Sequence, residues 1–410
     1  MHTTLLLFLA HIAAAAAAYS ARCSSNVVTY WGQNSWGGSH LDQRSNWEKS
    51  LASYCQDDTF DVINISFLTN FNLTGLPVLN HAFHCEDKFN KTNTLDCPGI
   101  GADVKTCQGR GKKIVLSLGG GNIYTYGLST AADGQAFADT VWNMFLGGKH
   151  TYRPYGNAVL DGVDLDIESG AHDGYPAFIN RLREHFKGAS KQYIISAAPQ
   201  CVYPDSNLNS TLSNAWIDNN YVQFYNNPCN LANIDNQWNF DYASWDRLAK
   251  ANPNTNSKVY VGLPAGSGAA GNGYMSLDTA KSDLTRLHAN FSSTFGGIML
   301  WDASWYTNNA DYVKGLSKWL KTTLPCNDGT HTTESASLAK STPPATKTQS
   351  ATKTSSTKTK TSSTKTKASS SKSKAKASST KTKTSSSKTK TSSTKPSPTE
   401  SESPKPTHTK

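Results

Sequence analysis

The chain has 410 residues, 37% of them hydrophobic and 17% charged, and a formal net charge of +10. That charge is confined to one end: residues 341–410 hold 16 Lys, no Arg and two Glu, which leaves 24 basic against 28 acidic side chains in the first 340 residues. A mildly acidic body with a basic extension excludes reading the body as a nucleic-acid binder on charge grounds.

The amino-terminal residues are apolar: Leu5–Leu9 is followed by Ala13–Ala18. This stretch is shorter than the roughly 20 apolar residues of a membrane span, and it ends in small residues suited to cleavage. The expectation is a secretory leader over residues 1–20, cut near Ala18–Ala21. No second stretch of membrane length follows, and the hydrophilic carboxyl terminus lacks a lipid-anchor signal. The product is expected outside the cell, free or in the wall. Eight cysteines, Cys23, Cys55, Cys85, Cys97, Cys107, Cys201, Cys229 and Cys326, fit an oxidised compartment. His81 and His84 beside Cys85 spell His-x-x-His-Cys, a possible metal cluster. A polar loop with a disulfide accounts for the same residues, so neither metal nor cofactor is expected.

Between about residues 22 and 326, β-branched and aromatic runs recur at wide intervals. They are Val27–Trp31, Val62–Leu68, Lys113–Leu118, Val159–Asp166, Tyr193–Ala198, Tyr221–Tyr225, Lys258–Leu263 and Gly296–Trp301. The intervals leave room for helices such as Gly134–Leu146, Tyr175–Phe186 and Tyr312–Leu320. Strands alternating with helices argue for parallel βα units. Eight units in about 300 residues predict a closed (β/α)8 barrel. A doubly wound open sheet is the alternative, though no Gly-x-Gly-x-x-Gly turn follows the first run. Residues 327–410 form a separate Ser/Thr/Lys-rich region: Ser and Thr make up 39 of residues 341–410, and no aromatic residue follows Trp319. Such a segment cannot bury enough apolar surface to offset its ordering entropy. It is expected to be disordered, O-glycosylated and stalk-like.

In a barrel of this kind, chemistry sits at the carboxyl ends of the strands. Here those ends carry Tyr30-Trp31-Gly32-Gln33-Asn34, Ser117-Leu118-Gly119-Gly120, Gln223-Phe224-Tyr225-Asn226-Asn227 and Trp301-Asp302. The richest is Asp161-Gly162-Val163-Asp164-Leu165-Asp166-Ile167-Glu168. Strand side chains alternate with period two, so Asp164, Asp166 and Glu168 share one face at intervals of about 6.5–7 Å, and Val163, Leu165 and Ile167 share the other. The apolar set should face the helices and the acidic set the barrel interior. Crowded, desolvated carboxylates raise the proton affinity of at least one of them, which is the requirement for a general acid. Glu168, nearest the strand's end, is the member that reaches a substrate. Asp166, one step deeper, either shares a proton with Asp164 or turns to Glu168. A calcium site and a purely structural acidic cluster are the weaker readings; calcium loops interleave oxygen ligands with Gly and Asn, not with strand formers.

These residues resemble a known family. Asp161-Gly162-x-Asp164-x-Asp166-x-Glu168 matches the Asp-Gly-x-Asp-x-Asp-x-Glu signature of family 18 glycoside hydrolases, and Ser117-x-Gly119-Gly120 matches their second motif. The Tyr-Trp-Gly-Gln-Asn and Gln-Phe-Tyr-Asn-Asn runs look like the plant and fungal class III, hevamine-like chitinases. The resemblance covers roughly residues 24–326. It implies a secreted endochitinase cleaving β-1,4-linked N-acetylglucosamine with retention, acting on chitin and N-acetylglucosamine oligomers as a monomer. Glu168 would be the acid and then the base, Asp166 would orient the substrate's 2-acetamido group, and Tyr225 would bind its carbonyl oxygen, with Asp164 beneath them. Trp301 would floor the cleavage point, with Tyr30, Gln223, Asn226 and Phe67 lining the cleft. The resemblance further implies Cys55–Cys107, Cys85–Cys97 and Cys201–Cys229 disulfides. Cys23 and Cys326, left over, are expected to clasp the body's two ends.

Two other functions fit the same barrel: a non-catalytic chitin-binding or inhibitor protein, and an endo-β-N-acetylglucosaminidase of the N-glycan core. The presence of Asp164, Asp166, Glu168 and Tyr225 together favours the enzyme. The tail lysines would either contact anionic wall polymers or simply keep a solvated linker extended. Of the sequons at Asn64, Asn72, Asn90, Asn209 and Asn290, the first lies within a predicted strand and is expected to be buried.

Overall fold

In the computed structural model, residues 19–71, 75–121, 124–324 and 326 are described. The expected leader, apart from Tyr19 and Ser20, and the whole expected tail lie outside them. Nine strands occur: β1 (Asn26–Trp31), β2 (Val62–Asn70), β3 (Val78–Leu79), β4 (Lys113–Gly120), β5 (Gly162–Ile167), β6 (Ile194–Ala197), β7 (Asn219–Gln223), β8 (Lys258–Pro264) and β9 (Phe295–Trp301). All but β3 are parallel and follow one another in the order β1-β2-β4-β5-β6-β7-β8-β9, and β9 pairs back onto β1. That closing pair excludes the open doubly wound sheet and makes an eight-stranded barrel. The short β3 runs antiparallel to β2 outside the ring; two residues are too few to leave a periodic signal.

The helices follow the predicted intervals with their own punctuation. Ala131–Phe145 starts at a reciprocal capping box between Thr130 and Asp133. It packs on Tyr175–Phe186, with the Phe137 and Phe178 rings stacked 5.5 Å apart. The last long helix, Ala310–Thr323, is longer at both ends than its apolar core suggests.

Every predicted run shifts at one end or both, and two of the shifts show their cause. The run Val159–Asp166 becomes strand only at Gly162, because the Leu160 N–H donates to Phe145 O and the Asp161 carboxylate accepts the Ile114 N–H. The run Tyr221–Tyr225 shifts back to Asn219–Gln223. Phe224 leaves the ladder to bond Val222 O, while the side-chain amide nitrogens of Asn219 and Asn220 donate to Tyr221, Ser257 and Lys258 and so tolerate burial. Polar side chains hide a strand from a hydrophobicity pattern when their partners come from other strands.

The barrel's amino-terminal end is pinned by a repeated device. Asp61, Asp161 and Asp218 immediately precede β2, β5 and β7, the second, fourth and sixth strands of the ring. Each accepts a backbone N–H from the neighbouring strand, of Val27, Ile114 and Ile195, at 2.8–2.9 Å. Each also meets a cation: Lys321 at 2.8 Å, Lys191 at 3.1 Å and Arg183 at 2.7 Å. The first aspartate of the Asp161–Glu168 signature is therefore a strand pin, remote from the chemistry. Tyr19 reaches this same end, its hydroxyl accepting from Asn219 Nδ2 at 3.0 Å, and Cys23–Cys326 joins the chain before β1 to the chain after the last helix. The remaining bridges are Cys55–Cys107, Cys85–Cys97 and Cys201–Cys229. No helix among the described residues is long and apolar enough to cross a membrane.

Candidate active site

Val163, Leu165 and Ile167 lie in the large apolar cluster between sheet and helices, and the alternate positions of β5 face the barrel axis. A second apolar cluster, including Val28, Tyr30, Phe67, Tyr225 and Met299, fills the interior below and around the carboxylates. At the carboxyl end of the strands this interior opens into a cavity of about 180 Å³. It is lined by Tyr30, Phe67, Gly121, Asp166, Glu168, Ala198, Gln223, Tyr225, Asn226, Met299 and Trp301. A few convergent polar groups among aromatic walls are the usual form of a small-ligand site.

The three carboxyls differ by their partners. Asp164 is wholly buried and accepts three hydroxyl hydrogen bonds: from Ser196 (2.7 Å), Ser117 (2.8 Å) and Tyr30 (2.9 Å). Burial raises its proton affinity, and these donors oppose the rise. With both oxygens engaged, it is not the partner of Asp166. Asp166 instead turns outward, hydrogen-bonding Glu168 and accepting from Gln223 Nε2 at 3.0 Å. Its proton affinity is driven well up, first by burial and then by the charges of Glu168 and Asp164. Glu168 is half-buried, its proton affinity raised by burial; Gln223 Nε2 reaches its Oε1 at 3.5 Å. No Lys or Arg among the described residues offsets the charge of this trio. The surroundings therefore favour a proton on the pair.

Around the pair stand rings. Trp301 stacks on Phe67 with centroids 6.1 Å apart and planes 17° from parallel, and Tyr30 leans on both at 5.7 and 6.1 Å. Phe67 is thus both buried and cleft-lining, two readings that a sequence treats as exclusive. Glycine is required beside it: at Gly120 the backbone has φ of +89°, and a Cβ would come within 2.8 Å of the Phe67 ring. Tyr225 is nearly buried and lines the cavity, and no group among the described residues hydrogen-bonds its hydroxyl. Asn226, in the left-handed region at φ 60°, accepts from Gly271 N–H at 2.7 Å, which fixes the cavity's far lip.

The structure brings Asp164, Asp166, Glu168, Tyr225, Trp301, Tyr30, Gln223, Asn226 and Phe67 into this one neighbourhood. Ser117 sits below, as a donor to Asp164, and does not line the cavity. Sequence reasoning missed Ser196, Ala198 and Met299. Period-two alternation could have found Met299, which shares the inward face of β9 with Trp301, whereas no named residue on β6 set the phase for Ser196 and Ala198. His81 and His84 have other engagements. His81 is buried between Ser66 O and Tyr155 hydroxyl, both at 2.8 Å, and burial lowers its proton affinity to about 4. His84 meets Glu48 at 2.8 Å. No group of three or more His, Cys, Asp and Glu among the described residues is placed to hold a metal ion.

Comparison with known proteins follows the same lines. "Chitinase 2" of Rhizopus oligosporus is 45% identical over 293 residues, 71% of this chain and 51% of that protein, so the chain spans about half the length of that relative. A solved ICChI chitinase from Ipomoea carnea superposes with a TM-score of 0.60 at 32% identity, covering 72% of this chain and 99% of that one. A xylanase and alpha-amylase inhibitor protein from Scadoxus multiflorus superposes with a TM-score of 0.58, also at 32% identity, covering 71% and 97%. The barrel alone thus serves both a chitinase and an inhibitor. The model of the family described as "Glycosyl hydrolases family 18" matches residues 26–386, and the chain belongs to that family.

Proposed function

We propose that this chain is a secreted endochitinase of the class III, hevamine-like type. It cleaves β-1,4 bonds between N-acetylglucosamine units with retention, and it works outside the cell or in the wall as a monomer. The observation that carries this reading is the adjacent Asp166–Glu168 carboxyl pair, its proton affinity raised by burial, at the mouth of an aromatic cavity and, among the described residues, in no ion pair.

In this reading the Glu168 carboxyl protonates the glycosidic oxygen as the C1–O bond breaks. The substrate's own acetamido carbonyl oxygen bonds to C1 and forms an oxazolinium ion. Water then attacks C1, the ring opens to restore the acetamide, and Glu168 takes the water's proton. Attack by a group already bound in the substrate gains the effective molarity of an intramolecular step. Family 18 enzymes accordingly depart from the two-carboxylate scheme. Asp166 turns with its proton to the acetamido N–H, and the unpaired Tyr225 hydroxyl binds the carbonyl oxygen. Trp301 supports the sugar face, and Gln223 holds the carboxyl pair in register.

The second reading, a binding or inhibitor protein, is supported by the inhibitor that shares this barrel. Hydrolysis of a soluble chitin oligomer by the wild type and by Glu168→Gln, with product anomers followed by NMR, separates the two. Initial β-anomer from the wild type and near-total loss in the variant are expected. Binding without turnover by the folded wild type would overturn the enzyme reading. Cleavage of N-glycans between their two core N-acetylglucosamine units in preference to chitin oligomers would redirect it to an N-glycan endoglycosidase.

A further inference from the structure

The β4–β5 ladder ends at the Gly120–Ile167 pair. Glu168 is the next residue, so its backbone N–H lies beyond the last rung. A backbone donor at the edge of a buried site needs a partner, and here the partner is a side chain from another loop. The Tyr126 hydroxyl accepts the Glu168 N–H at 3.0 Å and donates to Gly120 O at 2.5 Å. One phenol thus bridges the ends of two adjacent strands. Its ring is held in turn: Phe71 stacks on it at 5.5 Å with planes 15° apart, and Phe71 N–H and O bond the backbone of Thr125 and Gly127 on either side. Tyr126 itself is buried, 5% exposed, and is absent from the cavity lining.

We infer that Tyr126 is a positioning residue, whose hydroxyl extends the ladder by one rung and fixes the backbone from which the Glu168 carboxyl reaches the cleft. The inference rests on the reading of Glu168 as the acid. A site held by a second layer of locked side chains keeps its geometry through the reaction, and a displacement of about 1 Å can cost about a hundredfold in rate. Removing the hydroxyl leaves the ring and its stacking in place. It frees the Glu168 backbone, lets the carboxyl sample more solvent and weakens the burial that now favours its protonated form. The titratable groups facing Glu168 are Asp166 on its own strand, Asp205 from the loop after β6, Tyr225 after β7 and Tyr126. All but the last are unchanged in Tyr126→Phe.

The test is Tyr126→Phe with a soluble chitin oligomer as substrate, read in two ways. In steady-state kinetics kcat should fall about ten- to a hundredfold with KM little changed, and the basic limb of the kcat/KM profile should move to lower pH. In amide hydrogen exchange by NMR the Glu168 N–H should lose protection while the β4 and β5 amides keep theirs. An unchanged profile and an unchanged kcat per folded molecule would overturn the inference, as would a fall in activity that only tracks lost folded protein. The exchange measurement is independent of turnover. If the wild type hydrolyses nothing, the enzyme reading falls, and exchange still decides whether this hydroxyl holds Glu168. Should Tyr126→Phe not fold, Phe71→Leu loosens the ring without removing the hydroxyl. A smaller fall in kcat with the same direction of pH displacement is then expected, and no displacement would count against the inference.

Discussion

The two ends of the barrel use the same residue type for opposite ends. At the amino-terminal end, Asp61, Asp161 and Asp218 each combine a backbone N–H with a lysine or arginine. At the carboxyl end, Asp164, Asp166 and Glu168 have hydroxyls, an amide and one another. A buried carboxylate with a cation and a backbone donor is a fixed charge that aligns strands. The same group beside another carboxylate must hold a proton or pay for its charge in desolvation. Asp161 and Asp166 are five positions apart, one just before β5 and the other within it, yet one is a structural anchor and the other half of a carboxyl pair whose surroundings favour a proton. What separates them is the company each keeps.

The comparison is broken most directly at Glu168. Glu168→Gln should lower kcat on a soluble chitin oligomer by about 10³-fold or more, in line with the loss of a general acid. Its melting temperature should be unchanged or higher. In the wild type, the basic limb of the pH–rate profile should mark ionisation of Glu168, and it should lie above the usual carboxylate range because burial favours the protonated form. A rate that rises steadily through neutral pH would contradict this. Asp166→Asn should cost about a hundredfold in kcat and should separate activity from stability. The folded protein binds the Asp166 proton more tightly than the unfolded chain does. The wild type is therefore penalised as pH rises above the ordinary carboxylate pKa of about 3.9. Asparagine removes that penalty, so the variant's advantage in melting temperature should grow between pH 4 and pH 7. A difference independent of pH would sink the assignment.

At the other end the expected pattern reverses. Asp161→Ala strips the Ile114 N–H of its acceptor and takes the carboxylate from Lys191, whose ammonium keeps Val159 O at 2.7 Å. About 2–3 kcal/mol should be lost, less than for a fully buried pair because Lys191 is partly exposed, with kcat per folded molecule unchanged. Denaturant unfolding and kinetics on the same sample check both halves. The smallest effect sharpens the boundary between the two regions. Ser196→Ala removes one of three donors to Asp164; about 1 kcal/mol of stability and a few-fold loss of kcat are expected. A loss of stability with kcat untouched would assign Asp164 to the scaffold alone.

Much of this contrast could be read from the chain. Alternation along Val163–Glu168 separates the acidic from the apolar face, and eight runs in order give the barrel. What was illegible depends on partners distant in sequence. Asn219 and Asn220 read as polar but are strand, because their amide nitrogens donate to Tyr19, Ser257 and Lys258. Asp166 could have leaned either way along β5, and the three hydroxyls that claim Asp164 come from β1, β4 and β6. Phe67 reads as core or as cleft, and only the stacking of Trp301, more than two hundred positions later, makes it both. Tyr126 carries no local signal at all, since the donor it accepts belongs to a strand end that its own segment does not predict.

The Cys23–Cys326 bridge decides how the molecule bears load. It ties the start of β1 to the end of the last helix, near Lys321 and Asp61 and at the opposite end of the strands from Glu168. Tension applied through the chain beyond Cys326 enters the domain at that sulfur bridge and is carried straight into the first strand. Glu168, at the opposite end of the strands, lies outside that line of force.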